Sequence, residues 1–166
     1  MSQWEIAGAG NPGLDTGVVI AEGSPIWLSD VGRLLRGEIS AVEAYDQVME
    51  KFRSDPVAKR LRDFRSEHDR VAKFWRDEIL ARGYSPDEDS GPWGQVVFTI
   101  VGTAKLFGES SALQALKSGE SHGLAEYNAI LKRDDVPERI KKKLREDFIP
   151  LQERHIASLE VIQQIV

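Results

Sequence analysis

Two stretches of the chain have similar sequences: GEISAVEAY at residues 37–45 and GESHGLAEY at residues 119–127. Each begins with Gly-Glu and ends with a Tyr two helical turns after the Glu. Both lie within longer patterns of apolar residues spaced three and four apart, which are typical of a helix with one buried face. In each pattern the Glu falls on that buried face. The repeat therefore predicts one kind of helical segment that is used twice.

The same spacing predicts helices over most of the chain, because Pro, Gly and Asp residues separate one apolar pattern from the next. We expect an extended tail over residues 1–23, in which residues 18–20 either add a short strand or pack on the body, and a helical domain over residues 24–166. Pro150 lies inside the last pattern, and we expect a kink there because proline removes a backbone hydrogen bond. The predicted helices span about residues 25–53, 56–82, 92–107, 110–132 and 136–164.

The lengths of the links predict the topology. Short links join the first helix to the second and the fourth to the fifth, so each of these pairs is expected to be antiparallel. The segment from Arg82 to Ser110 separates the two pairs and is long enough to run the length of a bundle. We therefore predict an all-α antiparallel four-helix bundle with a long crossover, which contains an additional short helix between the second and third long helices.

Composition excludes several classes of protein. The formal net charge is −5, which argues against nucleic acid as the main partner, because phosphate binding needs a basic face. The chain has no cysteine, so disulfides and thiolate metal sites are excluded. No apolar run approaches the roughly 20 residues of a membrane span, and the N-terminus lacks the features of a signal peptide. We expect a cytoplasmic protein with no membrane partner.

Each long apolar pattern is interrupted near its middle by one ionisable residue. A buried carboxylate is costly unless it is paired or bound to a metal. We therefore expect the four interruptions to meet at one level of the bundle. The third histidine, His122, is predicted to lie on a different face. The four residues are Glu38, His68, Glu120 and His155.

These features together resemble the ferritin-like superfamily, and its rubrerythrin-type members in particular. The resemblance rests on the two Gly-Glu…Tyr phrases, the two histidines and the crossover. More narrowly, residues 39–164, with LKSGESHGLAEYNAIL at 116–131, resemble a bacterial family of ferritin-like four-helix proteins of unknown function. The resemblance implies the bundle fold, a metal site between the helices and, since such proteins often pair along a bundle face, a homodimer.

The sequence departs from the di-iron pattern of that superfamily at two positions. Di-iron proteins of this fold carry Glu-x-x-His on two of the helices. Here Arg65 and Gln152 stand where those glutamates are expected, three residues before His68 and His155. Two closely spaced cations would lack negative charge, so we do not expect a working di-iron oxidase.

Two interpretations of the four ionisable residues remain open. In the first, Glu38, His68, Glu120 and His155 bind one divalent cation, which suits zinc, iron or manganese; Glu67 or Glu153 could anchor a ring nitrogen only across helices. In the second, no metal is bound and the same residues form a buried polar layer that fixes helix register. Arg65, which would then reach Glu38 or Glu120, favours the second interpretation because its charge repels a cation. The layer would also contain Gln152, Tyr45 and Tyr127.

The functional expectation is a ferritin-like helical protein without established catalysis. The alternatives are an oxidoreductase with a non-standard iron or manganese site, and a bundle that binds a small apolar ligand in the space where metals would lie. The sequence identifies no small-molecule substrate.

Overall fold

The computed structural model describes residues 25–52 and 55–166, and most of them are helical. The predicted tail, with the residues proposed as a short strand, lies outside these ranges. No strand occurs in the described residues, so their fold is all-α. The elements are α1 (Ile26–Met49), α2 (Asp55–Leu80), α3 (Gly91–Leu106), α4 (Glu109–Leu131), α5 (Glu138–Lys143) and α6 (Ile149–Gln163).

The segment predicted as the last long helix consists of three consecutive parts, which are α5, a π-helical turn and α6. We call these three parts together the α5–α6 rod. A π-helical turn, Leu144–Phe148, joins α5 to α6, and the N–H of Ile149 donates to the carbonyl of Leu144, five residues earlier. In a regular α-helix the ring of Pro150 would clash with the carbonyl four residues before it. The wider π turn accommodates the proline. The irregularity expected at Pro150 is thus this turn, which directly precedes it.

The long elements pack as a bundle in which neighbours run in opposite directions. Each antiparallel pair has a contact between the start of one helix and the end of the other. The contacts are Trp27–Arg82 for α1 and α2, Asp30–Arg133 for α1 and α4, Glu78–Arg139 for α2 and α5, and Ser110–Gln163 for α4 and α6.

α3 lies between the two helical hairpins in the chain and packs against α1 and α4. Gly108 ends the turn that follows α3 with a φ of 106°, a conformation that favours glycine. The outer side of α3 leaves Phe98, Ile100 and Leu106 exposed. Within the described ranges, no helix has both the length and the apolar character needed to cross a bilayer.

The interior contains two apolar clusters with a band of polar side chains between them. The first cluster surrounds Trp75 and Leu144, and the second surrounds Leu61 and Leu159. Each of the four long elements, α1, α2, α4 and the α5–α6 rod, contributes residues to both clusters, and polar side chains lie between its two contributions. These buried polar residues are Glu38, His68, Glu120, Gln152 and His155. We call this band the polar layer; it consists of Glu38, Tyr45, Glu67, His68, Glu120, Tyr127, Gln152 and His155.

Candidate metal centre

His68 lies at the centre of the polar layer and contacts a carboxylate with each ring nitrogen. Its Nδ1 is 2.7 Å from Oε2 of Glu38 on α1, and its Nε2 is 2.9 Å from Oε1 of Glu120 on α4. The His68 residue is only 1% exposed. Without a metal, both nitrogens must donate for both contacts to be hydrogen bonds, so the ring is then an imidazolium between two carboxylates.

His155 extends this chain of contacts to a third carboxylate. Its Nδ1 is 3.2 Å from Oε1 of Glu120, and its Nε2 is 2.6 Å from Oε2 of Glu67 on α2. The order across the bundle is therefore Glu38, His68, Glu120, His155 and Glu67. Carboxylates and imidazoles alternate along it, and only Glu67, whose side chain is 25% exposed, reaches solvent appreciably.

Two tyrosines complete the polar layer. The hydroxyl of Tyr45 on α1 donates to Oε1 of Glu120, and the hydroxyl of Tyr127 on α4 donates to Oε1 of Glu38. Burial and the facing carboxylates raise the pKa of both phenols well above 10.0, so both remain protonated donors. Each Tyr thus bonds the Glu of the other repeated segment.

The electrostatics of the layer couple His68 to Glu120. Burial alone would lower the pKa of His68, but the charges and hydrogen bonds of Glu120 and Glu38 outweigh it and raise that pKa to about 10. Burial alone would raise the pKa of Glu120, but His68 and His155 lower it to about 2. The two shifts describe one mutual interaction, in which each partner stabilises the charged form of the other.

Three of the four sequence-predicted ligands offer atoms to one common point. Atoms of His68, Glu120 and His155 lie within 4.8 Å of one another, and all three residues are buried. This cluster could hold a metal ion. Oε1 of Glu120 faces both imidazoles and Tyr45, while its buried Oε2 has no hydrogen-bond partner. A buried polar atom without a partner requires an explanation, and an ion is one of the few available.

The fourth predicted ligand, Glu38, is close by but differently placed. It contacts the Nδ1 atom of His68, on the side of the ring opposite Glu120. It is not among the residues whose atoms approach a common point. The cluster that could hold an ion thus contains three of the four predicted ligands, and Glu38 contacts the opposite nitrogen of His68.

Arg65 does not join the polar layer, contrary to the sequence prediction. Its guanidinium pairs with Asp46 of α1, with Nε 3.1 Å from Oδ1, and its side chain is 34% exposed. Arg65 lies three residues before His68, but its long side chain reaches the rim of the α1–α2 contact rather than the interior. No contact joins it to Glu38 or Glu120, and the repulsion that argued against a cation is correspondingly weaker.

Gln152 does lie in the layer, where its Nε2 donates to the backbone carbonyl of Glu120 at 3.2 Å. Glu67 was considered in the sequence only as a partner across helices, and this is the position it takes. The sequence indicates this contact of Glu67 only weakly, because Glu67 lies beside His68 on a neighbouring face of α2. Only the packing of α2 against α6 brings it to His155. His122 and Glu153 are exposed.

Comparison with known proteins gives one family. No curated protein and no solved structure matches the chain. The profile of a domain of unknown function, DUF2383, matches residues 28–133. The match includes Glu38, Glu67, His68 and Glu120, and ends before His155. Because it covers more than half of the chain, the chain belongs to the DUF2383 family.

Proposed function

We propose that this protein binds one divalent metal ion through Nε2 of His68, Nδ1 of His155 and the carboxylate of Glu120. The observation that carries the proposal is the orientation of the two imidazoles. Each ring points one nitrogen at Glu120 and the opposite nitrogen at a separate carboxylate, Glu38 or Glu67. Metal-binding histidines in proteins almost always have their second nitrogen anchored in this way.

The distances fit an ion after a small outward adjustment. The two ligating nitrogens lie 2.9 and 3.2 Å from Oε1 of Glu120. Ligands at about 2.0–2.2 Å from a tetrahedral ion are roughly 3.3–3.6 Å apart. A cation would also give the unpartnered Oε2 of Glu120 a favourable neighbour.

The charge of the layer does not oppose a cation. A divalent ion would replace the proton that Nε2 of His68 otherwise holds toward Glu120, so release of that proton offsets part of the charge that the ion brings. Two imidazoles and one carboxylate suit zinc, iron(II) or manganese, and a set of three protein ligands leaves a position open for a further ligand. The proposal assigns metal binding and no reaction; an oxidoreductase with iron or manganese at this site remains the alternative.

A ferritin-like relationship forms part of the proposal. It is supported by the antiparallel order of neighbouring long helices, by α3 in the link between the two hairpins, and by ionisable residues from all four long elements at one level. Arg65 and Gln152 stand where a di-iron site needs carboxylates, so the proposed centre holds one ion. The homodimer stays a prediction.

The rival proposal is a polar layer without metal that fixes helix register. The observation in its favour is that His68 already makes two short contacts to carboxylates, at 2.7 and 2.9 Å. The unpartnered Oε2 of Glu120 argues against it, because a completed network would leave no buried acceptor without a donor.

Cobalt(II) titration separates these two proposals. Protein that has been stripped with a chelator is titrated with cobalt while visible absorption is recorded, and zinc is then added in competition. We expect one cobalt per chain, displaced by zinc, and loss of tight binding in His155→Ala. The matched control is His122→Ala, which removes the exposed histidine and should bind normally. Absence of tight cobalt binding, or equal loss in both variants, would refute the proposal.

A further inference from the structure

A cavity of about 380 Å³ adjoins the polar layer on the side away from His155. It lies between α1 and α4, with α3 forming part of its wall. The wall is largely apolar, and its inner end reaches Glu38, His68 and Glu120. The apolar wall residues include Leu34, Ala41, Ala44, Val97, Val101 and Leu116.

The glycines of the two repeated phrases form part of this wall. Gly37 and Gly119 both line the cavity, and a Cβ atom built on either would meet nothing within 4 Å. Neither has a positive φ that would require glycine. Glycine in a helix interior costs about 1 kcal/mol relative to alanine. What the glycine provides at each of these positions is open space next to the following Glu.

Among the residues that line the cavity, three carry a buried polar atom without a hydrogen bond; Oε2 of Glu126 is ion-paired with Arg33, and the other two have no partner of either kind. They are Oγ of Ser40 and Oε2 of Glu120, and these residues are 2% and 3% exposed. The cations that line the cavity are engaged elsewhere. Arg33 pairs with Asp30 and Glu126, His68 lies between its two carboxylates, and Arg36 pairs with Asp87.

The chemistry of the cavity defines its ligand. The apolar wall removes hydrocarbon from water, while one oxygen of the Glu120 carboxylate at the inner end, Oε2, has no hydrogen-bond donor. A positively charged donor makes a shorter and stronger bond to a carboxylate than a neutral one. The volume is more than twice the ~150 Å³ of a cavity that accommodates benzene. We propose that the cavity binds a small apolar molecule that ends in a primary ammonium group, with the ammonium directed at the carboxylate of Glu120.

This ligand site goes beyond the proposed metal site and does not need it. Both occupants bring positive charge to Glu120, so an ammonium ligand and a divalent ion should compete. The ligand test is therefore made on chelator-treated, full-length protein, so that it stands whether or not the metal proposal holds.

The experiment uses three probes of one chain length: n-hexylamine, 1-hexanol and hexanoate. Binding to the wild-type protein is measured by calorimetry at pH 7, where the amine is protonated. We expect saturable binding of n-hexylamine, at least tenfold weaker binding of 1-hexanol, and none of hexanoate. Glu120→Gln should reduce amine binding at least tenfold. If the alcohol binds as tightly as the amine, the ammonium assignment is wrong.

Filling the cavity from its glycine wall tests the location. Gly119→Leu and Gly37→Leu should each weaken n-hexylamine binding at least tenfold, because leucine would occupy the space that the ligand needs. Gly102→Leu is the matched control: Gly102 is on α3, has the same open surroundings and does not line the cavity. Circular dichroism checks that each variant is folded. No saturable binding of n-hexylamine, or equal binding by wild type and both wall variants, would overturn the proposal.

Discussion

Tyr45 on α1 donates a hydrogen bond to Glu120 on α4, and Tyr127 on α4 returns the same bond to Glu38 on α1. In each helix the Tyr follows the Glu by two turns, about 10.5 Å along the axis. Both bonds can form together only if the helices are antiparallel and held in one register, because in parallel helices the second pair would be roughly 20 Å apart. The two Gly-Glu…Tyr segments thus each supply one half of a reciprocal contact between α1 and α4.

Removing one hydroxyl of this contact should destabilise the protein. Tyr127→Phe keeps the ring but leaves Oε1 of the buried Glu38 without its donor, so we expect a loss of roughly 1–3 kcal/mol in the free energy of unfolding. Urea denaturation at pH 7 measures it. Ser118→Ala is the control, since it removes an exposed hydroxyl from the same helix and should change stability by less than about 0.5 kcal/mol. A similarly small change for Tyr127→Phe would show that the bond does not contribute.

The His68–Glu120 pair should make the stability of metal-free protein depend on pH in a defined direction. The pKa of His68 is raised from 6.5 to about 10, so its contribution is complete below pH 6.5 and is lost as the pH rises toward 10. The pKa of Glu120 is lowered from 4.5 to about 2, so its contribution is complete above pH 4.5 and is lost toward pH 2. The pair therefore stabilises most between these limits, at pH 4.5–6.5.

His68→Gln tests this window. Near pH 6 we expect the variant to be less stable than wild type by on the order of 3 kcal/mol, because it leaves buried carboxylates without their cationic partner. The difference should shrink steadily at alkaline pH, as measured by urea denaturation in the presence of a chelator. Arg65→Ala is the control: its pair with Asp46 is largely exposed, so we expect less than about 1 kcal/mol at every pH. A His68→Gln difference that stays constant up to pH 10 would contradict the account.

The anchoring role proposed for Glu67 predicts a specific loss of metal affinity. Glu67→Gln should weaken zinc binding about 10–100-fold without changing the stoichiometry, because the partner that orients the His155 ring becomes a weaker acceptor. Competition with a chromophoric chelator gives the affinity. Glu153→Gln makes the same change on an exposed residue of α6 near His155 and should bind as wild type does. Equal zinc affinities for the two variants would show that Glu67 does not anchor His155 in the metal site.

Metal affinity should rise with pH. In the proposed site the ion would take the place of the proton on Nε2 of His68. The ring is protonated below its pKa of about 10, so binding there would release at least one proton. The apparent zinc association constant should therefore increase about tenfold or more per pH unit between pH 6 and 8. Chelator competition in non-coordinating buffers measures this slope. A flat profile would mean that His68 is not a ligand.

The sequence predicted the four buried ionisable groups because each interrupts an otherwise apolar helical face, and periodicity reports burial directly. It also predicted that a helical hairpin occurs twice, because the Gly-Glu…Tyr segment is repeated in the sequence. It did not predict that Tyr45 and Tyr127 cross over to the opposite Glu, since that depends on the direction and register of α1 against α4.

What the sequence left undecided is the direction in which a side chain points, and at Arg65 this made the prediction wrong. The position of Arg65, one turn before His68, did not indicate that its guanidinium extends to Asp46 at the surface. Glu38 was assigned as a ligand because spacing places it at the right level, but spacing does not specify which nitrogen of His68 it contacts. Both questions are decided by side-chain orientation between helices.

Anomalous diffraction from zinc-soaked crystals tests the metal assignment most directly. We predict one zinc peak per chain, about 2.0–2.2 Å from Nε2 of His68, Nδ1 of His155 and a carboxylate oxygen of Glu120, with Glu38 and Glu67 on the outer nitrogens of the two rings. A polar layer without zinc, a pair of ions, or a zinc ligated by Glu38 in place of Glu120 would contradict it.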